Sequence, residues 1–516
     1  MKPISIHAFP LHRAFRCLAA VIVLGAAFQI DGRADTNTNS ITNAVKPPDP
    51  WNAIILTVTP DHANGVYALN EPVVWTADVK TGDRSGLAAV PYVVKRDGGD
   101  TIAQGTIDLS TGPATITATR AEPGALLAVI SVPTATKHPR PFTGGAIFAP
   151  DKIGPGAPAP ADFDAFWKAQ LAYLDSIPQN PVVEQGSLAD IKYNDGIPYY
   201  KVTLDNIWNT KVQGQLSRPV KGDKFPGLLI FQAAGVSALE KGMVLGAAKH
   251  GYLVLNIEAH DIPIDQPPAF YTSLKGGGLK DYISFGIDSR DTYYFLRMVL
   301  GCVRAAEYLT SRADWDGKTL IVSGVSQGGF QSFATAALFP QVTALCTSAP
   351  AADDSAATLA TPPRPPSWPA SYLPPRPDDP DGSKARATLS YFDTTYFAAR
   401  IHCPAQVCVG LIDETVRPAS VLATYNAIPG TAKELMIFPF YDHSLACGQV
   451  PFWHRKDEWL AAAAAGQPLP PVPTDPPTPN AITISGSGFG SSPTPTAAPV
   501  PAATPTPATV PTPAPQ

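Results

Sequence analysis

Six cysteines are spread through 516 residues, and none stands in C-x-x-C spacing. The sequence therefore offers neither a thiolate-built metal centre nor a paired redox motif. Setting aside Cys17 in an N-terminal apolar run, Cys302, Cys346, Cys403, Cys408 and Cys447 remain. Their odd number leaves at least one thiol free unless it pairs between chains. Cys346 and Cys408 lie inside apolar runs, where cysteine serves as a small hydrophobe. A disulfide among Cys302, Cys403 and Cys447 suits an oxidising compartment, but the spacing selects no pair. Basic clusters are lacking too: the net charge is −5 and no run of Lys or Arg outlines a groove. Nothing supports nucleic acid as a partner. A small or neutral molecule is expected instead, with no cofactor and no metal implied.

What is present divides by texture. Lys2, Arg13 and Arg16 precede the run "CLAAVIVLGAAF", and small residues suited to cleavage follow near Ala34. Residues 1–34 thus read as an export signal, since the run is short of the roughly 20 apolar residues that span a bilayer. A secreted or periplasmic protein is expected, with no integral membrane segment after cleavage. Residues 48–148 contain short alternating segments such as "AIILTVTP", "PVVWTADV" and "LLAVISVP", punctuated by Gly, Asp, Asn and Pro. They predict an all-β sandwich of immunoglobulin type, read as a spacer packed on the next domain in preference to a glycan-binding module. Over 150–465, the apolar runs "PGLLIF", "YLVLNIE", "TLIVSG", "TALCTS", "QVCVGLI" and "LMIFPF" alternate with helical patterns. This predicts an α/β fold with a doubly wound, mostly parallel sheet. Residues 466–516, rich in Pro, Thr and Ala, predict a disordered tail that buries too little apolar surface to order itself.

One short motif carries chemistry. Gly324-Val325-Ser326-Gln327-Gly328 is a G-x-S-x-G pattern that ends the buried-strand run "TLIVSG" and opens the helix-like "FQSFATAALF". The bare pattern is weak, but its place between strand and helix is that of a nucleophile elbow. Such a turn presents Ser326 Oγ at the carboxyl edge of the sheet and aims the Gln327 amide at a developing oxyanion. A serine hydroxyl needs a base, and this fold supplies an acid and then a histidine downstream. Asp413 ends the run "QVCVGLI", and His443 follows "LMIFPF" in "YDH". Both are thereby predicted at the edge where Ser326 lies. Glu414, Asp442, His454 and His260 are rivals; His260 precedes the serine and violates the order. The loop after "PGLLIF" is expected to add a second oxyanion donor, the amide of Ala234 or of its neighbour Ala233.

Several ordered stretches extend the match. "ADFDAFWKAQL", "VRAAEYL", "GVSQGG", "YFDTTYFAARIHCP" and "VGLIDETVRPAS" resemble the acetyl xylan esterase and cephalosporin C deacetylase family of α/β-hydrolases over about 160–445. The resemblance implies metal-free removal of acetyl groups from plant polysaccharide fragments, with the triad mapping onto Ser326, Asp413 and His443. Gln232-Ala233-Ala234 stands where that family usually has His-Gly-Tyr, and "NIEAHDIPIDQP" stands where it has Arg-Gly-Gln-Gly. Ser444 follows the histidine where Glu is common. The first two differences imply a wider acyl pocket, and the family's oligomer does not carry over by itself. The expected function is a secreted serine carbohydrate esterase acting on an acetylated oligo- or polysaccharide. The alternatives are an α/β-hydrolase for another ester or a peptide, or an inert glycan-binding protein.

Overall fold

The computed structural model describes residues 6–7, 54–133, 139–192, 194–430, 432–443, 450–468 and 470. The rest of the predicted export signal, Cys17, Ser444, Cys447 and the tail after residue 470 lie outside the described residues.

Ile6–His7 forms a short strand, β1. The β-branched and aromatic segments between Gly and Asn turns then form β2 (Ile55–Pro60), β3 (Val66–Tyr67), β4 (Val73–Thr81), β5 (Val90–Arg96), β6 (Thr101–Ile107), β7 (Ala114–Ala118), β8 (Gly124–Val132) and β9 (Arg140–Phe148). They make two sheets, β2-β4-β7 and β3-β9-β8-β5-β6. In β4, Val73, Trp75, Ala77 and Val79 are buried at every second position, the period of a strand with one face on a core. Strand β8 serves two cores. Leu126, Ala128 and Ile130 face the core between the two sheets, while Ala125 and Leu127 join the larger core of the following domain.

That domain holds β10 (Val182–Gln185), β11 (Tyr199–Asp205), β12 (Lys211–Ser217), β13 (Phe225–Phe231), β14 (Leu253–Ile257), β15 (Trp315–Val325), β16 (Ala344–Ser348), β17 (Ala405–Gly410) and β18 (Lys433–Phe438). With β1 they form a mixed sheet in the order β1-β18-β17-β16-β15-β13-β14-β12-β11-β10. Strands β1 to β14 in that order run parallel, and β12, β11 and β10 pair antiparallel beyond them.

The helices are α1 (Phe163–Asp175), α2 (Lys241–Lys249), α3 (Pro268–Gly276), α4 (Tyr294–Ser311), α5 (Gln327–Leu338), α6 (Ser383–Leu389), α7 (Thr394–Ala398), α8 (Pro418–Ala427) and α9 (Val450–Ala464). Successive residues of β15 show how they are layered. Leu320 and Val322 pack into the core that includes α1, α4, α5 and α8, whereas Ile321 packs with α2 and α9. Helices therefore cover both faces, which is why the central strands are apolar throughout.

The two domains meet around the segment that carries Asp413. A Cβ built on Gly65 or Gly145 would lie 2.8 or 2.7 Å from Leu411. Arg417 crosses to donate to the Asp97 carbonyl at 3.1 Å. No helix among the described residues is long and apolar enough to cross a membrane.

Candidate active site

Parallel strands deliver whatever follows them to one edge of the sheet, and three such exits converge here. Between β15 and α5 the chain turns through Ser326, whose φ of 56° and ψ of −120° few L-residues adopt. The turn is crowded. A Cβ on Gly324 would meet the Gly328 carbonyl carbon at 2.3 Å, and one on Gly328 would meet the Phe231 oxygen at 2.5 Å. Only glycine lets strand, helix and the neighbouring β13 approach this closely. Backbone bonds hold the elbow: Ser326 N–H donates to Ser348 O at 3.0 Å, and Ala351 N–H donates to Ser326 O at 2.9 Å.

The exits of β17 and β18 bring the other two residues. His443 Nε2 lies 2.9 Å from Ser326 Oγ, and His443 Nδ1 lies 2.7 Å from Asp413 Oδ2. Asp413 is 1% exposed, and its Oδ1 accepts the amides of Thr415 at 2.9 Å and Val416 at 2.8 Å. Those bonds hold the acid in one orientation. An ionised carboxylate only accepts, so Nδ1 carries the proton and Nε2 is left to accept from the serine. The rivals lie elsewhere. Glu414, Asp442 and His454 are exposed, while His260 is buried against Gly235 and Tyr294.

The amide of Gln327 is the first N–H of α5, one of the donors a helix leaves without an internal partner. Strand β13 ends beside the elbow, with Phe231 in register with Gly324, so Gln232–Gly235 runs alongside it. Ala234 is exposed in that loop and Ala233 partly so. The Gln232 side chain accepts from Ala259 N–H at 3.2 Å and donates to Ser237 O at 2.8 Å, tying the loop to the exit of β14.

Residues that sequence patterns did not single out complete the surroundings. Asp393 caps α7 by accepting from Thr395 N–H at 2.8 Å, and it also accepts the amides of Asp354 and Ser355 at 3.0 and 2.6 Å. It thereby fastens the loop that leaves β16 beside the serine, and burial pushes its carboxyl up to about 6. The D-T-T sequence at a helix start is the signal for that cap. Tyr282, whose hydroxyl donates to Gln327 Oε1 at 2.6 Å, had no such signal.

The four described cysteines stand apart from the triad. Cys302, Cys346, Cys403 and Cys408 are free thiols, each pushed up to about 12 by burial. A cleft of about 410 Å³ lined by Arg218, Asp223, Arg312 and Asp314 opens at the N-terminal ends of β13 and β15. It is on the edge opposite Ser326, and both of its arginines pair with Asp314.

A serine at a strand-to-helix elbow on a sheet of this order defines an α/β-hydrolase. Within that class the chain belongs to the acetyl xylan esterase family. The family model described as Acetyl xylan esterase (AXE1) matches residues 152–460. Acetyl esterase Axe7A of Xylanibacter ruminicola is 30% identical over 409 residues, covering 78% of this chain and 90% of that protein. The solved acetyl xylan esterase from Paenibacillus sp. R4 has the same fold, with a TM-score of 0.50 at 22% identity, over 61% of this chain and 98% of that one. Membership marks this protein as a hydrolase of the esterase kind.

Proposed function

We propose that the protein is an exported serine carbohydrate esterase that removes acetyl groups from xylan or a related plant polysaccharide fragment through an acyl-enzyme. The observation that carries this is the unbroken chain from Ser326 Oγ through His443 to Asp413, with bonds of 2.9 and 2.7 Å. In this mechanism His443 Nε2 takes the Ser326 proton as Oγ attacks the ester carbonyl. Asp413 keeps the ring in the accepting tautomer and stabilises the imidazolium that forms. The Gln327 and Ala234 amides bind the oxyanion. His443 then protonates the departing sugar oxygen, and afterwards it activates the water that releases acetate. Family membership and the acetyl esterase named among its relatives support acetyl as the acyl group transferred to Ser326.

Residues 1–34 serve here as the export signal, so the edge strand β1 that they carry is lost on cleavage, and 48–148 serve as an immunoglobulin-like sandwich. Residues 150–465 form the catalytic domain. One observation favours a second substrate class. The loop Gln232–Gly235 carries two alanines and no aromatic ring beside the serine, which leaves room for an acyl group larger than acetyl.

Acetate release from acetylated xylan, together with hydrolysis of acetyl, butyryl and feruloyl chromogenic esters, separates these outcomes. Ser326→Ala should lower kcat by about six orders of magnitude, and Asp413→Asn by about four through a misplaced tautomer. Wild-type rates in Ser326→Ala would end the proposal. Preference for the bulkier esters would keep the machinery and change the substrate.

A further inference from the structure

Behind the candidate oxyanion site runs a buried polar chain that the triad does not use. The Tyr282 hydroxyl donates to Gln327 Oε1 at 2.6 Å and accepts the Gly235 N–H at 3.2 Å. The Gly235 carbonyl lies 2.9 Å from His260 Nε2, and His260 Nδ1 lies 2.8 Å from the Tyr294 hydroxyl. Tyr294 in turn accepts from Arg297, which also donates to the Ala259 carbonyl. The His260 ring meets Tyr282 edge-on, with centroids 4.7 Å apart.

Donor and acceptor roles follow without a free choice. A carbonyl only accepts, so His260 carries its proton on Nε2 and accepts from Tyr294 on Nδ1. The Gly235 amide only donates, so the Tyr282 proton goes to Gln327. Burial lowers His260 to about 4, which keeps the ring neutral as these bonds require.

Beyond the Gln232 bonds to Ala259 and Ser237, the loop is held at Gly235. Gly235 adopts φ +117°, and nothing lies within 4 Å of where its Cβ would be, so no packing at that position fixes its backbone and its polar groups carry that task. Both are: the N–H by Tyr282 and the C=O by His260. Tyr282 is thus bonded to the residue after Ala234 and to the side chain of Gln327, the two sources of oxyanion donors.

We infer that Tyr282, seated by His260, is a positioning residue that sets the separation of the Gln327 and Ala234 amides. The inference rests on the reading of those amides as the oxyanion hole. It acts where geometry is costly, because one misplaced donor is worth on the order of 10²- to 10³-fold in kcat.

The test compares wild type, Tyr282→Phe, Gln327→Met, the double variant and Ser326→Ala on a chromogenic acetyl ester and a tetrahedral boronic acid inhibitor. Tyr282→Phe deletes one oxygen, and Gln327→Met removes the acceptor while leaving the backbone amide. Each is expected to lower kcat by about 10- to 100-fold, with KM within about threefold and boronate affinity falling in step with kcat/KM. The double variant should be no worse than the poorer single one, since both break the same link.

A merely structural role would lower melting temperature without this split between kcat and KM. If both single variants kept wild-type kcat and boronate affinity while Ser326→Ala was inactive, the positioning role would be refuted and the triad would stand. Activity in Ser326→Ala would instead remove the reading beneath it. Should Tyr282→Phe fail to fold, Gln327→Met decides alone.

Discussion

Ser326 holds a backbone conformation costing about 1–3 kcal/mol, and bonds from Ser326 N–H to Ser348 and from Ala351 to Ser326 O keep it there. Serine, aspartate and histidine were each legible in sequence because each follows an apolar run that had to be a parallel strand. Glu258 is a buried carboxyl away from the triad. Both its carboxylate oxygens lack a partner among the described residues, and burial pushes its pKa up to about 8 from 4.5. The folded protein then holds a proton that the unfolded chain has released. Its contribution to stability is fully present below pH 4.5 and is lost as pH rises towards 8. Glu258→Gln removes that titration. Its melting temperature relative to wild type should be lowest at pH 4 and climb steadily to pH 8. A difference that stays constant with pH would show that this carboxyl is not the source.

At the scale of elements, the elbow and the helix behind it depend on where glycine stands. Gly328 lies where α5 crosses β13, and a Cβ there would sit 2.5 Å from the Phe231 oxygen. Gly328→Ala is expected to cost about 1–3 kcal/mol or more through overpacking. It should also lower kcat, because the loop after β13 is the one displaced. Gly246 is the contrast. It lies inside α2 with nothing within 4 Å of its Cβ. Gly246→Ala should add about 0.5–1 kcal/mol of stability with kcat unchanged. Thermal unfolding beside initial rates checks both; equal effects of the two changes would contradict the crowding argument. The pattern G-x-S-x-G pointed to this difference, since only the glycines around the serine belong to a motif. The antiparallel strands β10 to β12 were not picked out from the sequence. Every residue of β10 is exposed, and β11 and β12 mix polar and apolar positions, so no continuous apolar run announced them.

For the whole molecule, the boundary between the two N-terminal sheets and the hydrolase is less a linker than a shared core. Ala125, Leu127 and Ile147 of β8 and β9 belong with Leu411 and Val416 to the larger core, two residues before Asp413 and three after it. Pulling the two apart would expose that surface and free the segment that holds the acid. Calorimetry of the full chain should therefore show one cooperative transition, with calorimetric and van't Hoff enthalpies in agreement. Two resolved transitions would mean that the N-terminal sheets unfold on their own and do not brace the Asp413 segment.

The linear chain sufficed for the alternation of strand and helix, the elbow and the order of Ser326, Asp413 and His443. These follow from local pattern and from the rule that parallel strands send their following loops to a common edge. Tertiary structure alone decided that His260 would clamp Gly235 instead of serving the serine. It also joined Tyr282 to Gln327 across 45 residues and turned alternate residues of β8 into two different cores. Each of these depends on which surfaces meet, and a contact between residues far apart in the chain leaves no periodicity in either segment to announce it.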